Sequence, residues 1–148
     1  MLAAIAALAG VAKAGTQLYA AKKGSTEAKY NAKMKEEQAF MIGEQQGISN
    51  LQWDRQIGRA MSTFVQRVGA SGIMMSGSPM AAMLDMTTQL EFDKAIDLYN
   101  LEWEKRGVQS EADAYRRQSK NIMFQGYANA FSTLLTTGSN YAQSNFKF

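Results

Sequence analysis

The sequence contains no cysteine and no histidine, and only one proline in 148 residues. Disulfide frameworks, thiolate nucleophiles, Cys/His zinc sites and histidine-centred triads are therefore unavailable to it. The single proline, Pro79, suits long uninterrupted helices better than a turn-rich β fold. Strand-like alternation of apolar and polar residues is absent. The glycine-rich stretch 69–79 (GASGIMMSGSP) lacks the Gly-Lys-Ser/Thr ending that grips phosphates, which excludes a P-loop. Sixteen Lys+Arg against 13 Asp+Glu leave a net charge of +3, too small for total charge to argue nucleic-acid binding.

Carboxylates offer little more. Glu36 and Glu37 are adjacent and point apart on a helix, unlike a glycosidase pair. Asp93 and Asp97 share a helix face, but no further ligands converge on them, so a solvated acidic face is the plainer reading. No catalytic residue, metal or cofactor is expected. With 46% apolar and 20% charged residues, the chain reads as about one folded domain, and as an assembly protein rather than an enzyme.

What the sequence does contain is helical spacing. Trp53, Ile57, Met61, Phe64, Val65 and Val68 fall on one stripe of a 3.6-residue helix. Phe92, Ile96, Tyr99 and Trp103 step by four, three and four, and Tyr127, Phe131, Leu134 and Leu135 continue that pattern. Core packing is the simplest account of both stripes. Between them, Gly69, Gly72 and Gly77 mark a break, since glycine in a helix interior costs about 1 kcal/mol relative to alanine. Ser78 and Pro79 read as an N-cap and first helical residue.

The predicted fold is all-α. Its parts are an Ala-rich N-terminal helix over 1–24, a first arm over 26–68, a loop over 69–79, a second arm over 80–138 and a tail over 139–148. Folding at about residue 74 gives a long antiparallel hairpin in which 26–68 and 80–122 are equal stretches, each roughly 65 Å at 1.5 Å per residue. Two side-by-side helices bury far less surface than a compact domain does. Phe40, Met41, Ile48, Leu51, Leu98 and Leu101 lie off the main stripes and need neighbours. A homo-oligomer or larger assembly follows. Six methionines (61, 74, 75, 80, 83, 86) surround the tip, as gap-fillers or as a contact surface able to repack.

Charge is segregated along the chain. Residues 13–35 hold six lysines against Glu27, and 80–104 hold six acids against Lys94. Residues 105–120 are basic again, and the fold point places them opposite about 28–43. Lys22, Lys23, Lys29, Arg116 and Arg117 then form a basic collar at the open end, either a solvated face or a surface for anionic headgroups or passing phosphates.

Residues 2–21 are long enough to cross a hydrocarbon core of about 30 Å, but alanine supplies little drive and Lys13 sits near the middle. On a helical wheel Ile5, Leu8, Val11, Leu18 and Tyr19 make a side suited to lipid. Ala6, Gly10, Lys13 and Gln17 make the opposite side, suited to close helix packing or a wet lumen. An Ala-rich helix buried in a protein assembly is the competing reading.

The order of these features, with the Gly69–Pro79 loop, ADAYRRQSKN (112–121) and GYANAFSTLL (126–135), resembles the small internal virion proteins, or DNA-ejection proteins, of short-tailed bacteriophages. The similarity covers roughly residues 40–142. The resemblance implies a protein packaged in the virion interior that leaves through the tail and then associates with the host outer membrane. There it would form, with larger internal virion or ejection proteins, part of a conduit across the cell envelope. Implied partners are further copies of itself, those larger proteins, portal or tail components, the outer membrane, and DNA in transient non-specific contact. Two other readings stay open: a purely structural virion or scaffold protein, and a basic helical protein that compacts DNA.

Overall fold

The computed structural model describes the backbone of residues 2–145 and the side-chain environments of residues 9–139. It contains two helices, α1 (Leu2–Ala70) and α2 (Ser78–Asn145), and no strand among the described residues. Helix α1 runs without a break through Lys22-Lys23-Gly24, so residues 2–24 are its first turns and not a separate N-terminal helix. Gly24 is packed against the other helix and does not act as a break: a Cβ there would meet Ile122 Cγ2 at an ordinary contact distance of 3.5 Å, and Ser25 is buried beside it. Likewise α2 continues past residue 138 to Asn145.

The chain divides into two compact units, one formed by Met1–Glu36 with Ser110–Phe148 and one by Glu37–Gln109. In the first, the ends of α1 and α2 pair antiparallel along a seam of very small residues. Gly10, Ala14, Ala21, Ser25, Ala28 and Ala32 are buried on α1, and Ala112, Ser119, Gly126 and Ala130 on α2. Steps of three, four and seven keep this seam on one side of each helix. Closeness is built in. A Cβ on Gly126 would overlap that of Ala21, and one on Gly10 would lie 2.8 Å from Thr137 Cβ. Ser25 and Ser119 share a buried hydroxyl–hydroxyl bond of 2.7 Å, and the Ser119 hydroxyl also donates to the Ser25 carbonyl at 3.1 Å. At the edges of the seam Lys35 pairs with Glu111 at 2.6 Å, and Arg116 pairs with Glu36.

The second unit holds the loop and the larger apolar contacts. Ala39, Ile42 and Val108 form its buried cluster, with Leu101 packed against them. Further along, Trp53, Ile57, Met61, Phe64 and Val68 are half-buried, as their spacing predicts, whereas Val65, expected on the same stripe, is exposed. The second arm differs from expectation. Phe92 (65% exposed), Tyr99 (61%) and Trp103 (57%) with Ile96 lie outside the packed stripe, which instead runs through Leu90, Lys94, Asp97, Leu101, Lys105 and Val108. Leu98 and Leu101, expected off the stripe, are half-buried on or beside it.

Candidate functional site

The loop is built as the glycines require. Helix α1 ends at Ala70, where the Ser71 amide still reaches the Arg67 carbonyl at 3.2 Å and the Ser71 hydroxyl donates to the Val68 carbonyl at 2.6 Å. Gly72 (φ 72°) and Gly77 (φ 66°) then take left-handed conformations that other residues adopt at a cost. The Gly77 carbonyl accepts from the Ala81 amide at 3.1 Å, so Gly77 takes the N-cap role and Ser78 and Pro79 stand one position further into α2 than the sequence predicts. Gly69 is still helical. The loop presents Ile73 and Met74 to the outside, while Met75, Met83 and Met86 are half-buried.

In the unit that contains it, Asp97 is the acid most tightly held. Its Oδ2 accepts from the Ser49 hydroxyl at 2.6 Å and from the Trp53 indole N–H at 3.0 Å. These donors, Ser49 foremost, hold its carboxyl below the usual range. Asp93 is exposed and joins none of these contacts. Among the described residues no group of three or more His, Cys, Asp or Glu comes together. Lys94 pairs with Asp54 at 2.6 Å. These contacts tie α1 to α2 through half-buried Ser49, Trp53, Lys94 and Asp97 and exposed Asp54. Nothing in the amino-acid pattern flagged Asp97 for that role except its position three residues beyond Lys94 on the packed stripe.

The basic residues gather in the other unit. Lys22, Lys23 and Lys29 flank Ser25 on α1, and Arg116 and Arg117 precede Ser119 on α2, so the Ser25–Ser119 contact brings both stretches together. Acids are interleaved. Arg116 is engaged by Glu36 and, at 3.5 Å, by Asp113. Glu111 holds the Lys35 ammonium above its ordinary range, chiefly by its hydrogen bond. Lys22, Lys23, Lys29 and Arg117 are exposed.

Of the N-terminal residues, Gly10 and Gln17 pack on α2, Gln17 through a 3.1 Å bond from the Thr133 hydroxyl, while Lys13 is exposed. Val11, Leu18 and Tyr19 are exposed on the other side. The side chains of Ile5, Ala6 and Leu8 lie outside the described residues. Leu18, Tyr19, Ala21, Lys22, Met123 and Tyr127 line an open hollow of about 190 Å³, predominantly apolar. Among the described residues, no helix is long and apolar enough to cross a membrane.

The most extensive feature is apolar surface left uncovered by helix pairing. In the Glu37–Gln109 unit it comprises Phe40, Met41, Ile48 and Leu51 on α1 and the Phe92–Trp103 stripe on α2, where Tyr99 and Trp103 stack edge-on with centroids 6.1 Å apart. In the other unit it includes Tyr127, Phe131, Leu134 and Leu135, expected as core, together with Phe124, Tyr30 and Met34. No family model, curated protein or solved structure matches the chain.

Proposed function

We propose that this chain is a non-enzymatic internal virion protein of a short-tailed bacteriophage, one that oligomerises into part of an envelope-spanning conduit for genome ejection. The observation that carries this reading is the imbalance between inside and outside. The buried seam consists mainly of alanine, serine and glycine, whereas phenylalanine, tyrosine and tryptophan stand in water. Monomeric soluble proteins rarely expose apolar patches of this extent, and such patches mark interaction surfaces. The loop and the two C-terminal motifs, through their resemblance to ejection proteins, supply the kind of assembly.

In this reading the first turns of α1 meet lipid collectively, in an oligomer, through Val11, Leu18 and Tyr19, while exposed Lys13 keeps to water. The basic residues of the same unit lie close enough to meet headgroups or moving phosphates. Purified protein should form discrete oligomers and release dye from lipid vesicles. Intact vesicles at high protein concentration would overturn the conduit reading.

One observation favours a scaffold without membrane activity: residues 10–21 already pack their small side against α2, and no described helix is apolar enough to span a bilayer alone. Deleting residues 2–21 separates the two readings. A scaffold that packs through its outer faces keeps its oligomeric state and its role in infection, whereas a conduit loses infectivity while particles still assemble.

A further inference from the structure

We infer that copies of this chain join side by side, without axial stagger, through the outer stripe of α1 on one copy and the outer stripe of α2 on the next. The inference rests on the oligomeric reading above and names the faces that build it. Both stripes belong to the Glu37–Gln109 unit.

Contacts inside that unit fix which residues stand at equal height. Gly43 lies against Lys105, Asp54 against Lys94 and Ser49 against Asp97, so residue numbers at one level sum to about 148. Copies arranged about an axis along the helices have no axial shift, because a rotation that closes a ring carries each residue to its own height. The same level rule then governs neighbouring copies.

Under it the two outer stripes match along their length. On α1 the exposed stripe runs Glu44, Ile48, Leu51, Arg55 and Arg59, in steps of four, three, four and four. On α2 it runs in the opposite sense from Arg106 through Trp103, Tyr99, Ile96 and Phe92 to Asp85. Equal height sets Ile48 at Tyr99, Leu51 at Ile96 and Arg55 at the Phe92 ring, a pairing suited to a cation over an aromatic face. At the two ends Glu44 comes near Arg106, which also pairs with Glu102 of its own helix at 2.7 Å. Arg59 lies about one helical turn from the level of Asp85, within reach of the arginine side chain, so opposite charges meet in both places. An apolar centre closed by complementary charges is the anatomy of a specific protein interface.

Size agrees as well. The exposed parts of the large apolar side chains on these two stripes amount to about 800 Å², and at an apolar share near 60% this corresponds to an interface of about 1,300 Å², within the standard class. The contact is heterologous, α1 face to α2 face, so every copy offers one free face until a ring closes.

The absence of cysteine makes the test direct. Full-length Leu51→Cys and Ile96→Cys proteins are mixed, oxidised and compared with each alone. The mixture should give disulfide-linked dimers at least about fivefold in excess of either protein by itself, because only opposing faces bring the Cβ atoms within bonding distance. In parallel, Arg59→Asp and Asp85→Arg should each raise the concentration at which oligomers dissociate by about tenfold, and the double variant should recover most of that loss. Oligomers that persist in sedimentation but show no preference for the mixed pair, or no recovery in the double variant, overturn the assignment of faces and leave the oligomeric reading standing. A chain that sediments as a monomer throughout the micromolar range overturns both.

Discussion

The closeness of the seam in the first unit can be tested with a single methyl group. Gly126 is buried, and a Cβ placed on it would overlap the Ala21 Cβ, with the Ala21 Cα at 3.7 Å and the Gln17 carbonyl oxygen at 3.9 Å. Carbon atoms at optimal separation stand about 3.5–4.0 Å apart, so Gly126→Ala must push the helices apart locally by about an ångström or more. The obstructing atom is fixed to the α1 backbone and cannot swing aside. Overpacking of this kind costs about 1–3 kcal/mol, while replacing a mid-helix glycine by alanine contributes about 1 kcal/mol in the other direction. The net expectation is a loss of up to about 2 kcal/mol, or up to roughly 6 °C in Tm for a chain of this length. Gly15→Ala is the matched control, since nothing lies within 4 Å of a Cβ there. It should raise Tm. Helix melting followed by circular dichroism at one fixed protein concentration reads both variants. If Gly126→Ala stabilises the protein as much as Gly15→Ala does, the close seam is refuted.

Other consequences are read in the same assay. Ser25→Ala or Ser119→Ala alone strips a partner from a buried hydroxyl and should cost about 1–2 kcal/mol, whereas the double variant, with no polar group left to satisfy, should lie near wild type; additive losses would show that the pair is not coupled. Asp97 has a folded pKa below its ordinary value, so its contribution to stability is complete above the unfolded carboxylate range and disappears as pH falls through the lower folded value. Asp97→Asn should flatten the acid limb of stability against pH, and an unchanged limb would remove Asp97 from the account. Lys35 is held above its ordinary range, so its contribution is complete below that range and is lost as pH rises through the folded value. Glu111→Gln should therefore flatten the alkaline limb.

Helical class, a break between the arms and a fold point near residue 74 are legible in the sequence because glycine, proline and 3.6-residue spacing act locally, although the break is 71–77 and shorter than the 69–79 that the glycines and Pro79 suggest. The second-arm stripe is misleading for a physical reason. Phe92, Ile96, Tyr99 and Trp103 satisfy every rule for a core face, but a two-helix pair has only one inner face on each helix, and α2 gives its inner face to Leu101, Val108 and the small residues beyond. The inner seam is hard to see because alanine is common throughout the chain and contributes little to an apolar pattern. A visible signal is the recurrence of Ala14, Ala21, Ala28 and Ala32 with Ala39 at sevens and fours, interrupted by the equally small Ser25. Read as close-packing positions rather than as weak hydrophobes, these residues mark the contact face and also show α1 continuous across Gly24. The roles of Asp97 and Ser119 depend on partners 48 and 94 residues away, and no local rule reaches that far.

The chain presents 11135 Å² to solvent. A compact monomer of 16.3 kDa would present about 7,500 Å², and even two separate compact bodies of half that mass only about 9,000 Å². The excess is therefore about 2,000 Å² or more on either reckoning. A copy in a closed ring covers two flanks, each of roughly 650–800 Å² at standard size, which removes about 1,300–1,600 Å². The proposed ring closure through the Glu37–Gln109 unit thus falls short of the excess. It also leaves untouched the apolar residues of the other unit, Phe124, Phe131 and Leu135, each more than half exposed. An environment-sensitive hydrophobic dye should therefore still bind the isolated homo-oligomer, and Phe131→Ser with Leu135→Ser should weaken that signal without changing the oligomer's mass. Undiminished dye binding in that variant would place the dye-binding surface elsewhere, and a fall in mass would mean that copies also join through this second unit.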